Sequence, residues 1–331
     1  MRKAICGAAL LLLPALSLAQ PKPTPTPDHH EQKPGDIFKR QELSRGVWVL
    51  YGGGGNVGFL VGPDAVLVVD SQVMQLGPGV VKQIQSVSDK PIRYLVNTHH
   101  HGDHTGGNEA FRPFAVILAQ ENVRKRMLES PRTILKEYPA YLEEAKKKGD
   151  AEGVAFLEDA IAWAKKVKVE EIAAPVLTYE TEVRIYVGDE TIEVWHTPPA
   201  HTDGDSVVYF RQANVLHMGD LFFYRVIPYI DVNAGGSARG YLTAIDGVLA
   251  RVPAGARIIP GHGEVTDVAG LKAFRQYIAD VLDAARKAKT AGKTKEEFLK
   301  TVDLPAYKGY DGYADRFKEN CAAAWDDVFN P

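Results

Sequence analysis

Apolar residues fall into short runs with two different periods. Strand-like stretches at 46–50, 58–61 and 65–70 precede a helical pattern at 80–87, and further strand-like runs follow at 92–96 and 114–118. The second half repeats the scheme, with strands predicted at 183–186, 191–195, 206–210 and 215–218, a helix at 242–250 and a last strand at 257–259. Two pseudo-equivalent α/β halves follow from this order. Between them, the segment 121–171 is rich in Lys, Glu, Leu and Ala, and Val154, Leu157, Ile161 and Ala164 are helically spaced. It predicts a pair of helices, a peripheral insertion on the simpler reading and a cap over a cleft on the other. Beyond the last strand, 268–289 reads as one amphipathic helix, and Thr294 with Glu297 forms a capping-box signature for a shorter one.

The N-terminus has a different character. Arg2 and Lys3, an apolar stretch to Leu18 and the small-residue exit at Ala19 make 1–19 a secretory signal peptide with cleavage expected after Ala19. The apolar stretch is short for a membrane span, so no stable span is expected in the mature chain, which is placed in the periplasm or outside the cell. Residues 20–36 are a Pro-rich linker in which His29 and His30 read as solvated, and the catalytic domain is expected over 37–331. Cys6 leaves with the signal, so Cys321 has no intramolecular partner. Tyr313, Phe317, Cys321 and Trp325 recur every fourth residue, which makes this thiol a small core residue.

With 45% hydrophobic and 24% charged residues, the 331-residue chain is an ordinary globular protein. Its formal charge of −3 and the absence of a long basic run argue against a nucleic-acid partner.

The chemistry concentrates in one run. His99, His101, Asp103 and His104 form His-x-His-x-Asp-His just past the apolar stretch 92–96. An extended backbone points His99 and His101 the same way, while Asp103 and His104 turn toward a neighbouring site. Imidazole and carboxylate in this density suit zinc and similar divalent ions. His201, Asp220 and His262 each follow a strand-like run and supply partners from other strand ends. Thr105, Gly106 and Gly107 are expected to bend the chain into a helix starting near Asn108. His100, His196 and His217 read as packing residues that make structural hydrogen bonds.

From Val47 to Glu264 this five-segment pattern resembles the metallo-β-lactamase-fold hydrolases. The resemblance implies an αββα sandwich with a helical insertion at about 121–171 and C-terminal helices. It also implies two Zn²⁺ ions per chain, one held by His99, His101 and His201 and the other by Asp103, His104 and His262. Asp220 would bridge them, and Asp70 would support the histidine loop. The implied reaction is attack of a metal-bound hydroxide on an acyl bond of a small-molecule substrate, with Asp103 and Asp220 as the catalytic carboxylates. A β-lactam is the leading substrate, although Asp220 stands where zinc β-lactamases carry Cys. Lactones and the thioesters of glyoxalase-type enzymes are the alternatives. A diiron redox protein or a non-catalytic metal-binding protein is the reading from another class.

Two further features bear on the cleft. Gly52 to Gly55 form either a mobile flap or a tight turn. Tyr224, Arg225, Asn233 and Arg239 lie in a Gly-rich stretch, where Arg225 or Arg239 is either a substrate-carboxylate contact or plain surface.

Overall fold

The computed structural model describes residues 37–328. The signal peptide, the linker, Cys6, His29 and His30 lie outside the described residues. The first sheet runs in sequence order: β1 (Lys39–Ser44), β2 (Val47–Tyr51), β3 (Val57–Val61), β4 (Val66–Val69), β5 (Ile92–Asn97), β6 (Val116–Gln120) and β7 (Leu177–Tyr179). Its first four strands are antiparallel, and β4 to β7 are parallel. The second sheet comprises β8 (Glu182–Val187), β9 (Glu190–His196), β10 (Ser206–Phe210), β11 (Val215–His217), β12 (Arg257–Ile259) and β13 (Thr266–Asp267). Only β11 and β12 run parallel in it.

Side chains on alternate positions of a strand face opposite sides, and the core follows that rule. Leu67 and Val69 of β4 meet Ile192, Val194, Val208 and Phe210 between the sheets. Val66 and Val68 turn outward against Val80 and Ile84 of α1 (Gly77–Gln85). A strand buried on both faces needs an unbroken apolar run, which the segment VLVV provides. Outside the second sheet pack α5 (Ala238–Arg251), α6 (Val268–Thr290) and α8 (Tyr313–Asp327), contributing Tyr241, Ile245, Phe274, Ile278, Phe317 and Cys321. The layers are therefore α, β, β, α. Cys321 is a buried free thiol, as its helical spacing predicts.

The main-chain bonds between the halves lie at one edge, while side chains such as Arg45 to Asp189 and Arg257 to Leu43 O tie them elsewhere. Asn56 N donates to Gly261 O at 2.7 Å and Ser206 N to Thr98 O at 2.9 Å. His217 Nε2 donates to Asn56 O at 3.0 Å, so this histidine packs as expected. His196 does likewise, with Nδ1 2.8 Å from Asp205 O.

The insertion forms α3 (Glu121–Lys148) and α4 (Ala151–Lys166), and α7 (Lys295–Thr301) carries the full capping box of Thr294 and Glu297. The helix expected from Asn108 is absent. A single turn, α2 (Gly102–Thr105), and a 3-10 segment over Gly106–Ala110 stand in its place. A Cβ on Gly107 would collide with Ser71 O, so this glycine permits close approach of two backbones. Asn108 is held by bonds with Asn97 and Ser71, both at 2.8 Å. Among the described residues no helix is long and apolar enough to cross a membrane.

Candidate metal centre

All seven predicted ligand residues converge where the strand ends of both sheets meet. The donor atoms of His99, His101, His201 and Asp220 lie within 4.8 Å of one another, and those of Asp103, His104 and His262 form a second group on the same criterion. Asp220 faces both. Its Oδ2 is 3.4 Å from His201 Nε2 and 3.9 Å from His99 Nε2, while Oδ1 is 3.0 Å from His104 Nε2 and 3.4 Å from His262 Nε2. Asp103 Oδ2 sits 3.2 Å from His262 Nε2.

The local chain explains this convergence. Asp70 ends β4 in the left-handed region at φ +63° and is fully buried. Its carboxylate accepts from Thr98 N at 2.8 Å, Thr98 Oγ1 at 2.7 Å and His104 Nδ1 at 2.7 Å, so the histidine loop is wrapped around it. His201 Nδ1 donates to Tyr229 O at 2.7 Å, which turns Nε2 toward the cluster. His101 presents Nδ1, 2.9 Å from His201 Nε2, because its Nε2 is engaged by Asp231 Oδ2 at 3.0 Å. In each ring the second nitrogen is tied down, which fixes tautomer and orientation.

Asp231 is a site residue that sequence reasoning missed. Its only signal was a position in the Gly-rich stretch, where the arginines drew attention instead. Asp205 was missed too; it accepts from His201 N at 2.7 Å and from Thr202 N and so shapes the loop carrying His201.

Burial and charge agree on what the cluster holds. Burial pulls His99 well below the usual histidine range and His201 down to about 4, so both are neutral and free to donate a lone pair. Burial opposes charge on Asp220, yet His262, His104 and His201 outweigh it and hold the carboxyl well below its ordinary range. Burial also opposes charge on His104, but Asp220, Asp103 and Asp70 together raise it well above the usual value. The carboxylates of Asp220, Asp103 and Asp70 therefore stabilise positive charge beside His104. His99 Nε2, His104 Nε2, Asp103 Oδ2 and Asp220 Oδ1 are buried with no hydrogen-bond partner. Leaving such atoms unsatisfied costs about 1–3 kcal/mol each, so four at one spot fit donors to a cation. Close approach completes the cage, because a Cβ on Gly55 would overlap the His104 ring and one on Gly261 the Asp220 carboxylate.

Other predicted features fall elsewhere. Gln72 accepts from Gly54 N at 2.6 Å and donates to Gly55 O at 2.5 Å, and Gly55 N donates to Asp103 O at 3.1 Å, so the glycine loop is pinned as a turn. His100 makes no structural hydrogen bond through Nδ1, contrary to expectation. Its ring instead packs beside His101, with centroids 4.6 Å apart. Arg225 is exposed and lines a separate hollow with Tyr224, Asp267 and Tyr310, none of them in the ligand set. Arg239 is the second residue of α5, with its main-chain N bonded to Asp327. Tyr224 lies beside Arg225, and Asn233 is exposed on the short turn after Asp231.

A His/Asp centre for a divalent metal at the edge of an αββα sandwich defines a metal-dependent hydrolase fold. The chain belongs to the metallo-beta-lactamase superfamily, whose pattern matches residues 50–262. A linear primary-alkylsulfatase from a Pseudomonas species is 23% identical over 276 residues, covering 76% of this chain and 50% of that protein. The chain thus spans about half the length of the curated relatives it matches. The inverting sec-alkylsulfatase Pisa1 from Pseudomonas sp. superposes over 89% of this chain and 51% of its own, with a TM-score of 0.66 and 16% identity. A metallo-beta-lactamase from Pontibacter korlensis superposes over 73% of this chain and 99% of its own, with a TM-score of 0.53 and 18% identity. Both likenesses concern the fold.

Proposed function

We propose that the protein is a dinuclear zinc hydrolase that cleaves an acyl bond in a small molecule, with β-lactams first among the candidates and lactones and thioesters next. The observation that carries this reading is Asp220, whose two carboxylate oxygens face two separate donor groups. His99, His101 and His201 would hold one ion and Asp103, His104 and His262 the other. Two zinc ions, when bound, supply an activated water at neutral pH and polarise the bond to be cleaved. The chain's own part is to fix the ligands and to handle the proton. Asp103, whose Oδ2 lies 3.2 Å from His262 Nε2 and 3.6 Å from His104 Nε2, is the group we assign to accept it.

A second reading, cleavage of an alkyl sulfate ester, is supported by the 276-residue likeness to the primary-alkylsulfatase. It uses the same cluster and differs only in the group attacked. The leader 1–19 supports export to the periplasm or beyond, and N-terminal sequencing of the exported protein is expected to begin at Gln20.

Metal analysis, with a substrate screen of β-lactams, lactones, thioesters and alkyl sulfates, tests the reading. Two zinc per chain and turnover of an acyl compound are expected, and His101→Ala and His262→Ala should each lose one ion and nearly all turnover. Iron with a visible absorption band would replace the reading by the redox one. Full activity in either mutant with zinc unchanged would overturn it.

A further inference from the structure

The helix α5 is tied to two ligand loops at once. Its first turn lies on the His201 loop: Ser237 N donates to Ala200 O at 2.8 Å, and a Cβ on Gly240 would collide with Pro199 O, so the glycine lets the helix come this close. One residue on, Tyr241 reaches the other loop. Its phenol donates to Asp220 O at 2.8 Å, with a longer arm to Tyr229 O at 3.4 Å. Tyr229 O is also the acceptor that turns His201, 2.7 Å from its Nδ1. A single hydroxyl thus holds the main chain of the bridging carboxylate and reaches the carbonyl that orients a histidine. The ring is fully buried and seated edge-on against Phe274, with centroids 5.8 Å apart, so the hydroxyl has a fixed position. Asp220 needs such an anchor. It sits on the 3-10 turn Gly219–Leu221, which follows a strand of three residues, and Gly219 enters that turn at φ +49°. From another element, Gly261 N donates to Gly219 O at 2.7 Å, and a Cβ on Gly261 would overlap the Asp220 carboxylate. The turn is therefore clamped by α5 and by the segment that carries His262.

Resting on the hydrolase reading, we propose that Tyr241 is a positioning residue for the metal pair: its hydroxyl sets where the Asp220 carboxylate and the His201 ring stand, and so how tightly the ion assigned to His99, His101 and His201 is held. Zinc accepts nitrogen and carboxylate donors only over a narrow range, about 2.0–2.2 Å, so a small shift of the main chain beneath Asp220 costs affinity. A phenylalanine at this position leaves a buried carbonyl without its donor, and the turn moves to find another. The metal centre is thus tuned from outside the second sheet, by a helix that supplies no ligand.

The test is zinc affinity, read by competition against a chromophoric chelator, in Tyr241→Phe and in Tyr277→Phe as its control. Tyr277 is buried in the same layer and its hydroxyl accepts from Asn320 Nδ2 at 2.9 Å, so its loss removes a comparable bond that touches no ligand loop. Tyr241→Phe is expected to weaken the ion of His99, His101 and His201 about three- to tenfold, the scale of one neutral hydrogen bond, while Tyr277→Phe stays within about twofold of wild type. Exchanging the Tyr241 hydroxyl for an amino group, with para-aminophenylalanine incorporated at that position, restores a donor and is expected to recover most of the loss. Should Tyr241→Phe fail to fold, Tyr241→Met also lacks the donor, fills the gap with a flexible side chain and is expected to weaken zinc likewise. Affinity within about twofold of wild type once the hydroxyl is gone, or an equal loss in Tyr277→Phe, overturns the proposal. A protein that turns over none of the screened compounds yet loses zinc affinity in Tyr241→Phe fails the hydrolase reading and leaves the role of Tyr241 standing.

Discussion

Replacing Asp231 by Asn isolates how much of the metal site is built by a residue outside the ligand set. The carboxylate is 3% exposed and does two jobs: Oδ2 holds His101 Nε2 at 3.0 Å, and Oδ1 accepts from Ala234 N at 3.0 Å. Asn keeps the shape, but its single oxygen can accept from Ala234 N or from His101 Nε2 and not both, so toward His101 at best a neutral hydrogen bond remains. A charge-assisted hydrogen bond contributes about 1.5–3 kcal/mol, against about 1 kcal/mol for a neutral one. The difference, about 0.5–2 kcal/mol, overlaps the range of about 1.4–2.7 kcal/mol equivalent to the roughly 10- to 100-fold effect typical of residues that orient metal-bound histidines. Asp231→Asn should therefore weaken one zinc by that factor and leave the ion held by Asp103, His104 and His262 nearly unaffected. Competition against a chromophoric chelator resolves the two affinities, and circular dichroism checks that the fold is retained. Both affinities within about twofold of wild type would refute the idea that Asp231 orients His101.

Asp220→Ala should loosen both ions and lower turnover by roughly two to three orders of magnitude, the equivalent of about 3–4 kcal/mol; two tightly held zincs at near-normal rate would reject the bridge. In Gly261→Ala the added methyl displaces the Asp220 carboxylate, so zinc stoichiometry should fall, read by elemental analysis of a protein that still folds. Glu319 is pushed up from 4.5 to about 7, chiefly by burial, so folding favours its protonated form. That contribution is complete below about pH 4.5 and is lost as pH rises toward 7, because the unfolded chain releases the proton first. The thermal midpoint of Glu319→Gln relative to wild type should accordingly rise between pH 4.5 and pH 7 in a calorimetric series, and a flat difference would count against it.

What could be read in advance depended on whether a signal was local. Strands such as β4, buried on both faces, announce themselves as apolar runs, and every ligand is a chemically conspicuous residue at a strand end. The edge strand β1 is mostly exposed and reads KRQELS, so no alternation marks it. The strands β7 and β13 have three and two residues, too few for a period to show. Gly106 and Gly107 looked like a bend before a helix, when the constraint was the nearness of the Ser71 and Met74 backbones, far off in sequence. Asp231 carries no local mark either: its hold on the site is a contact across 130 positions.

The main-chain bonds joining the two halves pass beside the ligands, through Asn56 to Gly261 and Ser206 to Thr98. The metal edge is thus also the seam of the molecule, and parting the halves to admit a substrate would dismantle the site it was meant to reach. The α3 side is held to a ligand loop more loosely, by the side chains of Arg126 and Asn122 on Asp203. Amide exchange separates these regimes, since the protons of Asn56 and Ser206 can leave only when the halves separate, on the timescale of global unfolding, while amides along α3 open independently. Motion of the helical insertion and retention of the metal site then run on different clocks.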